Sequence, residues 1–168
     1  METSSSEKEQ TLLRLVTAYE TELLRLCCVI LGDPHLAQDA VQETFFKVYR
    51  TLDRFRGECS EKTWITRIAV NTCRDMKRQR WFRFIDRSVS ADMLPDTPIP
   101  CPQEQSELFL DIINLSEKHK EVILLHYYQQ LSLEETAQAL HISKRTVSYR
   151  LDKARALLRM ELGKEDEV

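Results

Sequence analysis

Residues 132–158, SLEETAQALHISKRTVSYRLDKARALL, hold two helical patterns separated by three residues. Ser132 and Glu135 have the S-x-x-E spacing of a capping box, which predicts a short helix from about Leu133 to Leu140. HIS (141–143) leaves only a tight connection before a second helix, with Ser143 placed to cap it. Two helices joined this closely, with small Ala137 at their crossing, form a helix-turn-helix. The second helix divides by face. Val147, Leu151, Ala154 and Leu158 follow one helical stripe and form a core face, while Arg145, Ser148, Tyr149 and Asp152 follow another and are all polar or basic.

The polar face suits duplex DNA. A helix in the major groove reads base edges with side chains near its amino end, and flanking cations hold phosphates. Arg145, Ser148 and Tyr149 suit the reading role, and Lys144, Arg150, Lys153 and Arg155 the phosphate role. Charge is distributed accordingly. The chain has a formal net charge of −3, yet residues 140–160 carry six basic residues against one acid. Residues 74–87 carry six against two, and the segment between, 102–139, carries seven acids and two lysines. Two basic stripes on an acidic body predict two contacts with a polyanion and another partner elsewhere.

Upstream, three long helical patterns follow one another. The first spans 7–31, with Leu12, Leu15, Val16, Tyr19, Leu23 and Leu26 at helical spacing. Gly32–Pro34 ends it and starts the next, with Asp33 as cap and Pro34 in the first turn. The second helix buries a stripe through Ala37, Ala40, Val41, Thr44, Val48 and Leu52. After the break DRFRGECS (53–60) a third begins at Ser60, with Trp64, Ile65, Ile68, Ala69, Thr72 and Met76 as its expected core face. Arg67, Asn71, Arg74 and Arg78 form a stripe expected opposite Trp64, flanked by Phe55 before it and Trp81 and Phe82 after it. Arginines interleaved with aromatics and an amide suit single-stranded nucleic acid, whose exposed bases stack and hydrogen-bond.

At 168 residues, with 42% hydrophobic residues, 30% charged and three glycines, the composition fits an all-α globular protein. Four of the five prolines fall in 92–103, which predicts a linker. The expected organisation is therefore two small helical domains, 7–86 and 104–162, joined by a proline-containing linker over 87–103, the second with the helix-turn-helix. The polar start METSSSEKEQ lacks the apolar core of a signal peptide, and LCCVILG (26–32) is too short to cross a bilayer, so a cytoplasmic location is expected. Cys27, Cys28, Cys59, Cys73 and Cys101 are odd in number and lack CxxC spacing, which argues against a disulfide framework or zinc site. Cys27, Cys28 and Cys73 read as small packing residues.

Three segments carry a family resemblance: DAVQETFFKVY (39–49), FRGECSEKTWITRIAVNTCRD (55–75) and LSEKHKEVILLHYYQQLSLEETAQALHISKRTVSYRLDKARALL (115–158). In that order, around a proline-rich linker, they resemble a bacterial sigma factor of the extracytoplasmic-function (ECF) group, built from sigma regions 2 and 4. The resemblance implies a protein that binds core RNA polymerase and directs promoter-specific initiation, with no chemistry of its own and no metal or cofactor. It implies that Asp39, Gln42 and Glu43 dock on the clamp helices of the polymerase β′ subunit; the acidic, apolar-rich segment 102–139 suits a basic partner, the polymerase β flap included, and equally a solvated face. It implies that Phe55 and Asn71, with the rail Arg67, Arg74 and Arg78, capture a base flipped from the −10 element. The second helix of region 4 would read the −35 element through Lys144, Arg145, Ser148, Tyr149, Arg150 and Lys153. An anti-sigma factor, often membrane-anchored, is a further implied partner. The chain departs from the family pattern in carrying Arg145 where a glycine is usual, and Ser148 and Tyr149 where a basic residue and serine are usual.

A regulator with a helix-turn-helix and a ligand- or partner-binding amino-terminal domain would share the carboxyl half. It would have no need of DAVQE followed by an arginine–asparagine stripe. An enzyme is disfavoured: there is no glycine-rich phosphate loop, no Ser-His-Asp set and no metal-ligand spacing, and the four histidines are scattered.

Overall fold

The computed structural model describes residues 2–86 and 107–165. The chain divides into two compact units, Met1–Cys101 and Pro102–Val168. All regular structure among the described residues is helical. The expected linker 87–103, with Cys101, lies outside them, as do the side chains of Trp81 and Phe82.

The first unit packs three helices on one another: α1 (Glu2–Leu31), α2 (Pro34–Thr51) and α3 (Glu61–Asp86). The turn between α1 and α2 needs Gly32, whose φ of 68° lies in the left-handed region and whose N–H closes the helix on the Cys28 carbonyl at 2.8 Å. Asp33 then accepts from the His35 and Leu36 N–H groups at 2.9 and 3.2 Å, and Pro34 opens the helix. The α2 stripe is buried as expected at Ala37, Ala40, Val41, Thr44 and Val48, and Phe45 joins it. Leu52 is only half-buried, because α2 stops at Thr51 and a 3-10 turn, Leu52–Arg54, swings the chain away.

On α3 the core face is broader than the expected stripe. Trp64, Ile65, Ala69 and Thr72 are buried, but so are Thr63, Thr66, Val70 and Cys73, while Ile68 and Met76 are half-buried. The reason is that α3 packs against both α1 and α2, so a wide arc of it is covered. The neighbouring Cys73 thiol and burial together push the Cys27 thiol well above the usual thiol range. Cys27, Cys28 and Cys73 are all buried packing residues. Ion pairs tie the helices outside the core: Arg14 to Glu61 at 2.7 Å, Lys62 to Glu22 at 2.9 Å, and Lys8 to Asp53. Exposed pairs of this kind contribute little each, so burial of the apolar arc carries the stability.

The second unit comprises α4 (Glu107–Asn114), α5 (Glu117–Ile123), a wide π turn (Leu124–Tyr128), α6 (Leu133–Leu140) and α7 (Lys144–Glu165). Its core gathers Val122, Leu124, Leu125, Ala139, Leu140, Val147, Leu151 and Ala154. The capping box forms in both directions: Glu135 N–H donates to Ser132 Oγ at 3.2 Å, and Ser132 N–H to Glu135 Oε2 at 2.9 Å. His141 ends α6 in the left-handed region, φ 55°, and Ile142 N–H reaches the Ala137 carbonyl at 3.1 Å. Ser143 accepts from the Thr146 N–H at 3.1 Å, so α7 starts where its cap requires.

Candidate nucleic-acid interface

In the first unit, Phe55 follows the 3-10 turn and Ser60 accepts from the Thr63 N–H at 3.1 Å to begin α3. Gly57 between them takes φ 70°, which lets the loop fold back over the start of α3. The loop and the first turns of α3 border an open hollow of about 270 Å³ lined by Arg54, Phe55, Arg56, Glu58, Cys59, Trp64 and Arg67. That is smaller than the roughly 300–1,000 Å³ of ordinary small-molecule sites, and suits one flat ring system. Phe55 stacks on Trp64 with centroids 4.6 Å apart, and Arg67 Nη2 points to Cys59 Sγ at 3.8 Å.

Trp64 was expected opposite the arginine stripe; instead it shares the wall of this hollow with Arg67. Three residues along a helix is nearly one turn, so the two side chains lie side by side. Asn71 and Arg74 are half-buried further along α3, and Arg78 is exposed and paired with Asp75 at 2.8 Å. These three continue the face but do not line the hollow. Arg54 and Arg56 were missed by the sequence reading, although the order Arg–Phe–Arg around Phe55 signals them.

On α2, Asp39, Gln42 and Glu43 are all exposed on the side away from the buried stripe. Glu43 lies 3.7 Å from Lys47. Phe46, 55% exposed, continues this face, with the Arg50 guanidinium 5.7 Å from its ring centre. Phe46 is a further surface feature that sequence reasoning left unplaced. Extending the spacing Ala37–Val41–Thr44–Val48 puts Phe45 inside and Phe46 outside.

In the second unit α7 presents the two expected faces. Val147, Leu151 and Ala154 are fully buried and Leu158 half-buried. Lys144, Arg145, Tyr149 and Lys153 are exposed, and Ser148 and Arg150 half-buried. Tyr149 is 61% exposed, with Lys153 Nζ 5.9 Å from its ring centre. Arg155 is engaged on the other flank, donating from Nε to Tyr127 Oη at 2.7 Å and pairing with Asp152 at 3.3 Å. His126 turns Nδ1 to the Leu131 carbonyl at 2.8 Å, which fixes the chain leaving the π turn.

Two family models match the chain: Sigma-70 region 2 over residues 15–83 and Sigma-70, region 4 over residues 113–160. The chain is 30% identical over 162 residues to the ECF RNA polymerase sigma factor SigW of Bacillus subtilis, covering 88% of this chain and 87% of that protein. It is 31% identical over 156 residues to the RNA polymerase sigma-E factor of Streptomyces coelicolor, covering 90% and 85%. Among solved structures its fold matches the sigma factor RpoE in complex with the anti-sigma factor NepR from Bartonella quintana. That match has a TM-score of 0.72 at 23% identity, covering 92% of this chain and 96% of that one. CnrH in complex with the cytosolic domain of CnrY follows at TM-score 0.68 and 23% identity, covering 97% and 94%. A region 2 match across both the α2 face and the Phe55 hollow is what the regulator reading lacked. The chain belongs to the ECF RNA polymerase sigma factors, which direct transcription initiation at promoters.

Proposed function

We propose that the hollow at Phe55 receives one base unpaired from the −10 element, and that α7 reads the −35 element. The observation that carries this is the hollow itself: a stacked aromatic pair beside Arg54, Arg56 and Arg67, sized for a single ring system. Stacking holds a base by its π face, and arginines hold the adjoining backbone. Asn71, Arg74 and Arg78 extend along α3 as the rail for the strand that follows. On α7, Arg145, Ser148 and Tyr149 meet base edges, and Lys144, Arg150 and Lys153 meet phosphates. Asp39, Gln42 and Glu43, exposed together on α2, dock on the β′ clamp helices, and the second unit meets the β flap. The factor supplies binding and strand opening and leaves the chemistry to the polymerase.

No helix among the described residues is long and apolar enough to cross a membrane, and a factor working on polymerase acts in the cytoplasm. RpoE was solved with an anti-sigma factor and CnrH with a cytosolic domain of CnrY. By analogy this chain is held by an anti-sigma factor until a signal releases it. The domain division is 7–86 for polymerase and −10 contacts and 104–162 for −35 contacts, with 87–103 between.

The test is transcription in vitro from fragmented bacterial DNA by core RNA polymerase with and without the protein. Defined starts that depend on it give both promoter elements. Asn71→Ala should then impair opening at those promoters while duplex −35 binding stays nearly intact. Equal loss of both would show that the melting site lies elsewhere.

A further inference from the structure

His119 sits in the first turn of α5, which packs along α7. Its Nδ1 meets Ser116 Oγ at 2.9 Å, which orients the ring and leaves Nε2 for another partner. The ring is half-buried on the wall of an open hollow that Ser116 and Lys118 line from its own turn, Asp111 from α4, and Leu157 and Leu158 from α7. Arg150 and Lys153 of α7 are near enough to act on it electrostatically, as is Lys118. Successive helix residues turn by about 100°, so Arg150, Lys153 and Leu157 share one side of α7, beside the Arg145–Tyr149–Asp152 face. Among the described residues, His119 therefore stands near the cations Lys118, Arg150 and Lys153, with the carboxylate Asp111 lining the same hollow, at the edge of the surface proposed to meet DNA.

We propose that His119 is a phosphate contact of the DNA-binding unit and takes up a proton as duplex DNA binds, making that binding tighten as pH falls through the neutral range. The inference rests on the reading of α7 as the duplex-binding helix. In the free protein, partial burial and the cations Lys118, Arg150 and Lys153 hold the ring below the usual histidine range. A phosphate laid across Arg150 and Lys153 neutralises the field that disfavours the proton and adds a negative charge that favours it. The bound form thus holds the proton more tightly than the free form. Linkage then fixes the sign: affinity is lowest at high pH, rises as pH falls through the bound-state value, and levels off below the free-state value. No proton leaves the system unaccounted for, since solvent supplies it and dissociation returns it.

The experiment uses the full chain and a mixed-sequence duplex of about 20 base pairs, since phosphate contacts are sequence-independent. Affinity is followed by fluorescence anisotropy from about pH 8 to about pH 6 at constant ionic strength. The expected result is a gain of about three- to tenfold in affinity across that range, below the ceiling of about tenfold per pH unit for a single proton. His119→Gln should flatten this dependence, and His119→Lys, which keeps a cation at every pH, should flatten it at the tight end. His141→Gln should leave it in place: His141 is exposed where α6 ends, within the helix-turn-helix itself. Pulsed amide exchange along α5 and α7 shows that each variant keeps its fold. Binding with no pH dependence, or a dependence that survives His119→Gln or disappears with His141→Gln, overturns the proposal and leaves the α7 reading standing. Failure to bind any duplex at low salt overturns both.

Discussion

The Phe55 ring lies nearly parallel to that of Trp64, centroids 4.6 Å apart and planes 24° from one another. Trp64 is 8% exposed and held in the α3 core, whereas Phe55 is half-buried on the wall of the loop hollow. The buried indole therefore backs the phenyl ring and fixes its plane. A platform held this way loses little freedom when a base stacks on it, so more of the stacking energy appears as binding.

Phe55→Ala should accordingly lower the extent of promoter opening by about 5- to 150-fold, the range of the roughly 1–3 kcal/mol that one aromatic–base stack contributes. Permanganate reactivity of unpaired thymines measures it. Duplex −35 binding should be unchanged, because Phe55 is in the other unit. Normal opening in Phe55→Ala would remove the aromatic platform from the account.

Arg145 and Lys153 are both exposed on α7 and should separate cleanly. Arg145 is in the first turn, where side chains reach base edges, so Arg145→Ala should change the ranking of promoters, with about 1–3 kcal/mol of discrimination lost at one position. Lys153, two turns on, should act on phosphates. Lys153→Ala should weaken binding to all duplexes and reduce the slope of log affinity against log salt by about one. Competitive binding to a randomised −35 duplex at several salt concentrations reads both effects. An unchanged ranking in Arg145→Ala would mean that α7 presents a different face.

Most of this architecture was legible because it depends on local chemistry. Asp33, Ser60, Ser132 and Ser143 start their helices by side-chain acceptance that spacing alone signals, and all four do so. The two faces of α7 were equally plain, since one partner surface leaves a sharp boundary. What spacing did not resolve was α3, where cover from two helices widens the buried arc to Thr63, Thr66 and Val70. The hollow escaped for a related reason. It depends on a loop folding back through Gly57, and no periodicity reports which wall a loop will cover.

Arg14 donates to Glu61 from both terminal nitrogens, at 2.9 and 2.7 Å, and ties α1 to the start of α3 just beyond the proposed base-binding loop. The hydrogen bonds hold the Glu61 carboxyl below the usual carboxylate range. A group with a depressed folded-state value stabilises the fold above its unfolded value and loses that contribution as pH falls through the folded one. Glu61→Gln should therefore lower Tm by no more than a few degrees at neutral pH, as expected of an exposed pair. The difference from the parent chain should shrink below about pH 4 and vanish at lower pH. Thermal melts of both proteins across that range measure it. A gap that widens on acidification would contradict the pairing.

Thr136 sits fully buried in α6, and its hydroxyl has no hydrogen-bond partner among the described residues. A buried hydroxyl without a partner carries a desolvation cost of about 1–3 kcal/mol in protein substitution data. Valine has nearly the same shape and the same branching at Cβ, so it fills the space without the cost. The gain is partly offset by valine's restricted rotamers in a helix. Thr136→Val should raise the stability of the second unit by about 1 kcal/mol. Slower amide exchange in α6 and α7, with exchange in α1–α3 unchanged, would place that gain in the unit where Thr136 lies. A loss of stability would mean that the hydroxyl meets an ordered water or a carbonyl in solution. The helix-turn-helix would then depend on a polar contact at its centre as well as on apolar packing.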